Sequence, residues 1–438
     1  MNVNKPVRQV IRIGWPRRPY IAGTSLAVSV GFLIAAMLMP IWLPSLVRRV
    51  IPDRYIVAYA PKPVQAVVFQ QEDSERLLPT SDSIGSALSR GRAGTLLGNP
   101  TAGASGLVGP AAYEPTTVSD VDVAPDYSEV PASYSLSGFT HTYQGWNNCG
   151  PATLTTTLSY WGVATSQAEV AAFVKPNPED RNVRPDELVA FAQSKGMMAI
   201  VRVNGSASLL KKLISSGFPP IIEMGFEVDK LGWMGHYVVL TAYSDDTKAF
   251  TAQDSYLGPD HRIPYTELEN YWRHFNRTYL VTFDPKQALD VKAIIGSDMD
   301  DRLMWTRSLE ATRQHLDVAA NDSFGWFNLG TSLVALGKFD DAAVAYDQAR
   351  ALGLPWRMLW YQFGPYEAYL AVGRFVDVRD LADVVIADNI YSEEAYYYKG
   401  QAYALDGKIA EARAQYETAT QYNKHYLIAL EALAASDH

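Results

Sequence analysis

From Pro19 to Val47 the chain carries no charged residue, and a helix of about 20 apolar residues is long enough to cross a bilayer. The pattern therefore predicts a transmembrane helix over residues 20–47. Between Ala60 and Ser133 the composition turns to Ser, Thr, Gly, Pro and Ala, large apolar residues thin out, and no period is visible. Such a segment cannot bury enough surface to offset the entropy of ordering it, so residues 60–133 read as a disordered linker. Aromatic residues return at Tyr134, Phe139, Tyr143 and Trp146 and open the first folded domain, residues 134–285. Within it, helical spacing places helices near 150–161, 185–195, 206–216 and 264–274. Apolar runs rich in β-branched residues place strands near 198–203, 219–225, 236–243, 248–254 and 278–283. The mixture predicts an α+β domain.

From residue 300 to 438 only the helical period remains, and it repeats. In SFGWFNLGTSLVALGKFDDAAVAYDQARALGLP, residues Trp326, Leu329, Gly330, Leu333, Ala342, Tyr346 and Ala349 match the paired-helix pattern of the tetratricopeptide repeat. Gly337, Gly373 and Gly407 recur at separations of 36 and 34, and the last unit places Tyr396, Gly400, Tyr403, Ala412, Tyr416 and Ala419 in the same pattern. Stacked helix pairs bury what a single pair cannot. The expected all-α solenoid offers a concave surface to a protein partner, lined by Tyr396, Tyr397, Tyr403, Trp360 and Tyr366. Alternatively these aromatics are repeat core, or the solenoid is a rigid cap on the preceding domain.

Charge adds an orientation. Lys5, Arg8, Arg12, Arg17 and Arg18 precede the apolar run with no acid among them, while Arg48, Arg49 and Arg54 follow it beside Asp53. The excess places residues 1–19 in the cytoplasm, the apolar helix as a single-pass signal anchor in the cell membrane, and the rest of the chain outside. A cleaved signal peptide is the alternative, though the run exceeds the usual signal core of about 7 to 15 residues. The net charge of -9 and the absence of a basic cluster after residue 62 argue against a nucleic-acid partner.

The stretch QGWNNCGPATLTTTLSYWG, Gln144 to Gly162, holds the only cysteine, Cys149, which excludes an internal disulfide and a Cys-based metal cage. Leu154, Leu158 and Trp161 at helical spacing, Pro151 in the first turn and Gly162 as a stop put that thiol at a helix N-terminus. There the helix dipole and unpaired N–H groups favour a thiolate. Cys149 is either a small buried hydrophobe or a nucleophile, and a nucleophile needs a base. His236 opens the strand-like run HYVVLTAY after the turn-like LGWMG, a place that suits a structural histidine as well as a catalytic one. If the next strand, ending at Asp254, pairs with it, the imidazole and the carboxylate lie at one end of the sheet. A carboxylate there would orient the imidazole, and the Gln144 side chain with the Cys149 backbone N–H would outline an oxyanion hole.

The segments Q-x4-CGPATL, RPDELVAFAQSKG, LLKKLISSGFPPII, GHYVVLTAY and AQDSYLGP, in that order, resemble the papain-like cysteine peptidases whose founding members remove double-glycine leaders from bacteriocins. The resemblance covers about residues 134–285 and is nearer to the peptidase-like branch found without a transporter. It implies a Cys-bearing helix packed on an antiparallel sheet, with Cys149 as nucleophile, His236 as base, Asp254 as the orienting residue and Gln144 as oxyanion donor. The expectation is a membrane-anchored, extracytoplasmic cysteine peptidase that attacks a peptide or protein through a thioester acyl-enzyme, without metal or cofactor. An inactive papain-like recognition module in an assembly scaffold, and an amidase or acyl transferase using the same residues, remain open. Because these residues all precede residue 285, chemistry and repeats are further expected to be separable.

Overall fold

In a computed structural model, residues 130–228 and 232–436 are described. The expected basic N-terminus, the transmembrane helix at 20–47 and nearly all of the linker lie outside the described residues. Among the described residues no helix is long and apolar enough to cross a membrane.

The first half comprises β1 (Ser133–Ser135), α1 (Cys149–Tyr160), α2 (Gln167–Val174), α3 (Pro185–Ser194), β2 (Met198–Arg202), α4 (Ala207–Ser215), β3 (Pro220–Val228), β4 (Gly232–Ser244), β5 (Ala249–Asp254), β6 (Gly258–Pro264), α5 (Tyr265–Trp272) and β7 (Tyr279–Phe283). The strands form one sheet in the order β2-β7-β3-β4-β5-β6, with β1 also on β4, and each pairing is antiparallel. Side chains alternate between the two faces of a strand. On one face Ile221, Tyr237, Val239 and Leu280 meet Leu154 and Leu158 of α1 and Leu188 and Phe191 of α3. On the other, Ile222, Met224, Val238 and Leu240 meet Leu209 and Leu213 of α4 and Leu268 and Trp272 of α5.

Three details depart from the sequence reading. Ser133 pairs with Ser244, and the carbonyls of Pro131 and Ala132 accept from the Tyr243 hydroxyl and the Asp245 N–H, so order begins inside the stretch expected as linker. Within LGWMG, the residues from Gly232 on are strand rather than turn: β4 starts at Gly232, and Trp233 and Met234 already pair with Glu227 and Phe226. Gly235 serves packing there, since a Cβ would come within 2.9 Å of the Phe275 ring and 3.1 Å of the Tyr361 ring. Finally, β6 has the sequence GPDHRIP, whose turn-forming residues mask an edge strand.

The second half is helical: α6 (Ala288–Ile295), α7 (Asp301–Val318), α8 (Ser323–Ala335), α9 (Phe339–Leu352), α10 (Gly364–Ala371), α11 (Phe375–Asp388), α12 (Glu393–Leu405), α13 (Ile409–Tyr422) and α14 (Leu427–Ala435). The pairs α8/α9, α10/α11 and α12/α13 each turn at a glycine, Gly337, Gly373 and Gly407, with φ of +72, +77 and +75. Glycine, with no Cβ, adopts that region at no steric cost. Trp360 and Tyr366, expected on a binding surface, are buried in the core of this region, Tyr366 stacked on Tyr398 of α12 with ring centroids 5.0 Å apart. Trp233 and Phe275 of the first half belong to the same apolar cluster.

Candidate active site

β4 places the imidazole. Val238 pairs with Asp254, the last residue of β5. His236, two residues earlier on the same face, is therefore a diagonal neighbour of that carboxylate. His236 Nε2 lies 3.0 Å from Asp254 Oδ1, and both side chains are buried. The same oxygen accepts the backbone N–H groups of Tyr256 at 2.8 Å and Leu257 at 2.9 Å, which pin the carboxylate where the chain turns into β6.

Because β5 stops opposite Val238, the earlier part of β4 has β3 on one side and no strand on the other. The N-terminus of α1 enters this gap. The N–H and C=O of one strand residue point to the same side, and those of Tyr237 face the gap. Its carbonyl accepts the Thr153 hydroxyl at 2.9 Å, and its N–H faces the Cys149 sulfur. His236 faces Cys149 as well, and with Nε2 on Asp254 the ring nitrogen left for the thiol is Nδ1. Sequence reasoning thus named Cys149, His236 and Asp254, and the fold brings the three together.

The electrostatics of the row are consistent. Burial pushes the Cys149 thiol up, but the hydrogen bond and charge of His236, with N–H donors from Tyr237 and Gly150, hold it below its ordinary value. Burial opposes a charge on His236, and the hydrogen bonds and charges of Asp254 and Cys149 override it, pushing the imidazole up to about 9. Burial also raises Asp254, while His236 and the Leu257 and Tyr256 N–H groups hold it below the usual carboxylate range. Each shift thus favours the charged form of its group relative to a free side chain.

Gln144 is held by a residue the sequence reading did not single out. The Ser255 hydroxyl donates to Gln144 Oε1 at 2.9 Å, and the Gln144 N–H donates to the Ser255 carbonyl at 2.9 Å. With its oxygen engaged, the amide keeps its N–H donors for another acceptor. Cys149 is the first residue of α1, and a first-turn N–H has no acceptor inside its helix.

Lys175 was also missed. It is buried, and its ammonium donates to the carbonyls of Asn147 at 2.9 Å and Asp180 at 2.7 Å. Asn147, two residues before Cys149, has a left-handed φ of 54. A lysine after an apolar helix reads as solvent-exposed, so nothing local signalled this strap. Phe226 stacks on the His236 ring with centroids 4.7 Å apart. The remaining histidines with described partners serve elsewhere: His141 bonds to Gln253, His274 accepts from Trp233 Nε1, and His315 pairs with Asp322. Among the described residues no group of His, Cys, Asp and Glu is arranged to hold a metal.

Residues 130–280 match the family model described as the Peptidase_C39 like family. No match is found among curated proteins. Among solved structures, the chain is similar to a protein from Bacillus anthracis described as a C39-like peptidase, at 16% identity and a TM-score of 0.29 over 35% of this chain and 98% of that one. It is similar at 20% identity and a TM-score of 0.26 to a double-glycine-motif protease from an AMS/PCAT transporter bound to a leader peptide, over 36% and 96% of the two chains. The peptidase domain of Streptococcus ComA, a bifunctional ABC transporter in quorum sensing, shows 16% identity and a TM-score of 0.28 over 34% and 98%. The sheet region thus matches the family described as Peptidase_C39 like and is followed by a helical region.

Proposed function

We propose that this protein is a cysteine peptidase that cleaves a peptide or protein through a thioester acyl-enzyme. The reading rests on one observation above the others: the thiol at the start of α1 faces His236, which is hydrogen bonded to Asp254. Cys149 attacks the amide carbonyl, and the leaving amine takes its proton from the His236 imidazolium. Water, deprotonated by the then neutral imidazole, opens the thioester. The N–H groups of Gln144 and of the Cys149 backbone stabilise the oxyanion in both halves. Asp254 keeps Nδ1 of His236 toward the sulfur. In this reading residues 20–47 anchor the chain in a membrane with the catalytic region outside, and the helical region, read as tetratricopeptide repeats, engages a protein partner.

An inactive recognition module has no use for a charged row. An amidase or acyl transferase shares the first half-reaction and differs only in what accepts the acyl group, so products decide between them. The test is mass spectrometry of the native protein after an electrophilic peptide probe at neutral pH. A single adduct on Cys149, lost in Cys149→Ala and slowed at least tenfold in His236→Ala, is the expected result. A native protein whose Cys149 stays unlabelled would overturn the proposal.

A further inference from the structure

The gap beside β4 is wider than α1 can fill. Trp233, Gly235 and Tyr237 are alternate residues of one strand, so their backbone groups all point to the side that β5 has vacated. Tyr237 is served by Cys149 and Thr153. The other two are met from the helical region: the Arg357 guanidinium donates to the Trp233 carbonyl at 3.1 Å, and the Gly235 N–H faces the Tyr361 hydroxyl, whose ring lies against this glycine. His236 thus sits between a backbone group held by α1 and one held by a loop more than a hundred residues away in sequence. The approach is tight enough to require glycine at 235, as the Cβ distances to Phe275 and Tyr361 show. Gln362, next along, donates to the His274 carbonyl at 3.0 Å, and the Tyr361 ring meets those of Trp233 and Phe275 edge-on.

A second tie leads to the other half of the dyad. Glu394, buried in the first turn of α12, accepts from the Asn182 side-chain amide at 2.9 Å. The Asn182 N–H donates to Asp180 Oδ1 at 2.9 Å, and the Asp180 carbonyl accepts from Lys175, whose ammonium also holds the Asn147 carbonyl. That chain of bonds ends two residues before Cys149, at a backbone held in a left-handed conformation. The Arg181 guanidinium, next to Asn182, lies over the Trp360 ring, 5.0 Å from its centroid, so the two ties meet at the loop that carries Tyr361.

We propose that the helical region is a structural part of the catalytic centre: Tyr361 positions the strand that carries His236, and Glu394 positions the loop that carries Cys149. Both act as positioning residues, through the backbone that carries His236 and Cys149, and the proposal rests on the peptidase reading above. It contradicts the separability expected from sequence. An appended binding module would leave the chemistry on a small substrate untouched, whereas a misplacement of about 1 Å at a reacting group can cost about 10²-fold in rate.

The test uses the full chain, a small activated ester too short to reach the helical surface, and iodoacetamide as a neutral alkylating probe of Cys149. Tyr361→Phe removes one oxygen and keeps the ring. It is expected to lower kcat about tenfold at unchanged KM and to move the acid limb of Cys149 alkylation to higher pH. Glu394→Ala is expected to lower kcat similarly, and Glu394→Gln, which keeps the acceptor oxygen for Asn182, to restore it. Should Glu394→Ala not fold, Tyr361→Phe decides alone. If His236→Ala changes wild-type alkylation but Tyr361→Phe leaves both kcat and the alkylation profile within about twofold, this inference is overturned and the peptidase reading stands. If His236→Ala changes nothing, both fall together.

Discussion

At the scale of single residues, the row from Cys149 to Asp254 works through the position of two protons. The thiol is held low and the imidazole is pushed up to about 9, so between those limits the pair is a thiolate beside an imidazolium. Activity should therefore follow a bell: it rises as the thiol ionises, at a pH below the ordinary value of a free cysteine, and falls as His236 loses its proton near pH 9. Asp254→Asn keeps a side-chain oxygen for His236 but removes the charge. The imidazolium then loses stabilisation and its limb moves down in pH. The thiolate in turn loses part of its counter-charge, and its limb moves up. The bell should narrow from both sides, with kcat/KM lower by about 10²-fold at its top. A pH–rate profile measures this directly, and an Asp254→Asn variant whose limbs coincide with the wild type would show that Asp254 is not coupled to the dyad.

At the scale of elements, what could be read from the sequence depended on whether a signal was local. The N-terminus of α1 was legible because Pro151, Leu154, Leu158 and Gly162 all act within a few turns of Cys149. The start of β4 was not. Gly232 and Gly235 look like turn residues, yet Gly235 is small because Phe275 and Tyr361, distant in sequence, pack against it. The order of Gln144, Cys149, His236 and Asp254 carried the site, but Ser255 and Lys175 act through a partner and a burial that no local pattern announces. The helical pairs contain both kinds of glycine side by side. Gly407 turns the chain with φ +75 and has open space around it, whereas a Cβ on Gly400 would come within 2.4 Å of the Tyr416 ring. Gly400→Ala should cost about 1–3 kcal/mol through overpacking, and Gly407→Ala about 1 kcal/mol through backbone strain. Urea denaturation of the two variants separates them further: adding Tyr416→Leu should relieve the first loss and leave the second. Equal relief in both would mean that the ring contact is not what Gly400 is for.

At the scale of the whole molecule, the joint between the two halves is built from acids. Asp180 and Glu187 from the first half and Glu393 and Glu394 from α12 lie together with Arg184, Asp186 and Lys175, and with the amides of Asn182 and Asn423. Burial pushes all four carboxyls up, Glu187 to about 8. Oε2 of Glu393 and of Glu394 is buried without a hydrogen-bond partner, as suits a neutral carboxyl more than a carboxylate. The sign of the consequence is the reverse of the usual one for acids. Between the ordinary carboxyl value of about 4.3 and the raised folded value, the folded protein binds more protons than the unfolded chain, so stability falls as pH rises. Other groups titrate in that interval too, His236 among them, but they are common to the wild type and to Glu394→Gln. The substitution removes one proton from the balance and keeps the acceptor for Asn182. Denaturation midpoints measured from pH 5 to 8 should therefore decline more steeply for the wild type, by up to about 1.4 kcal/mol per pH unit for one group. Parallel curves would mean that Glu394 is ionised in the folded state as it is in the unfolded one, and the joint would then be held by its apolar contacts, Trp233 and Phe275 against Trp360 and Tyr361, rather than by neutral acids.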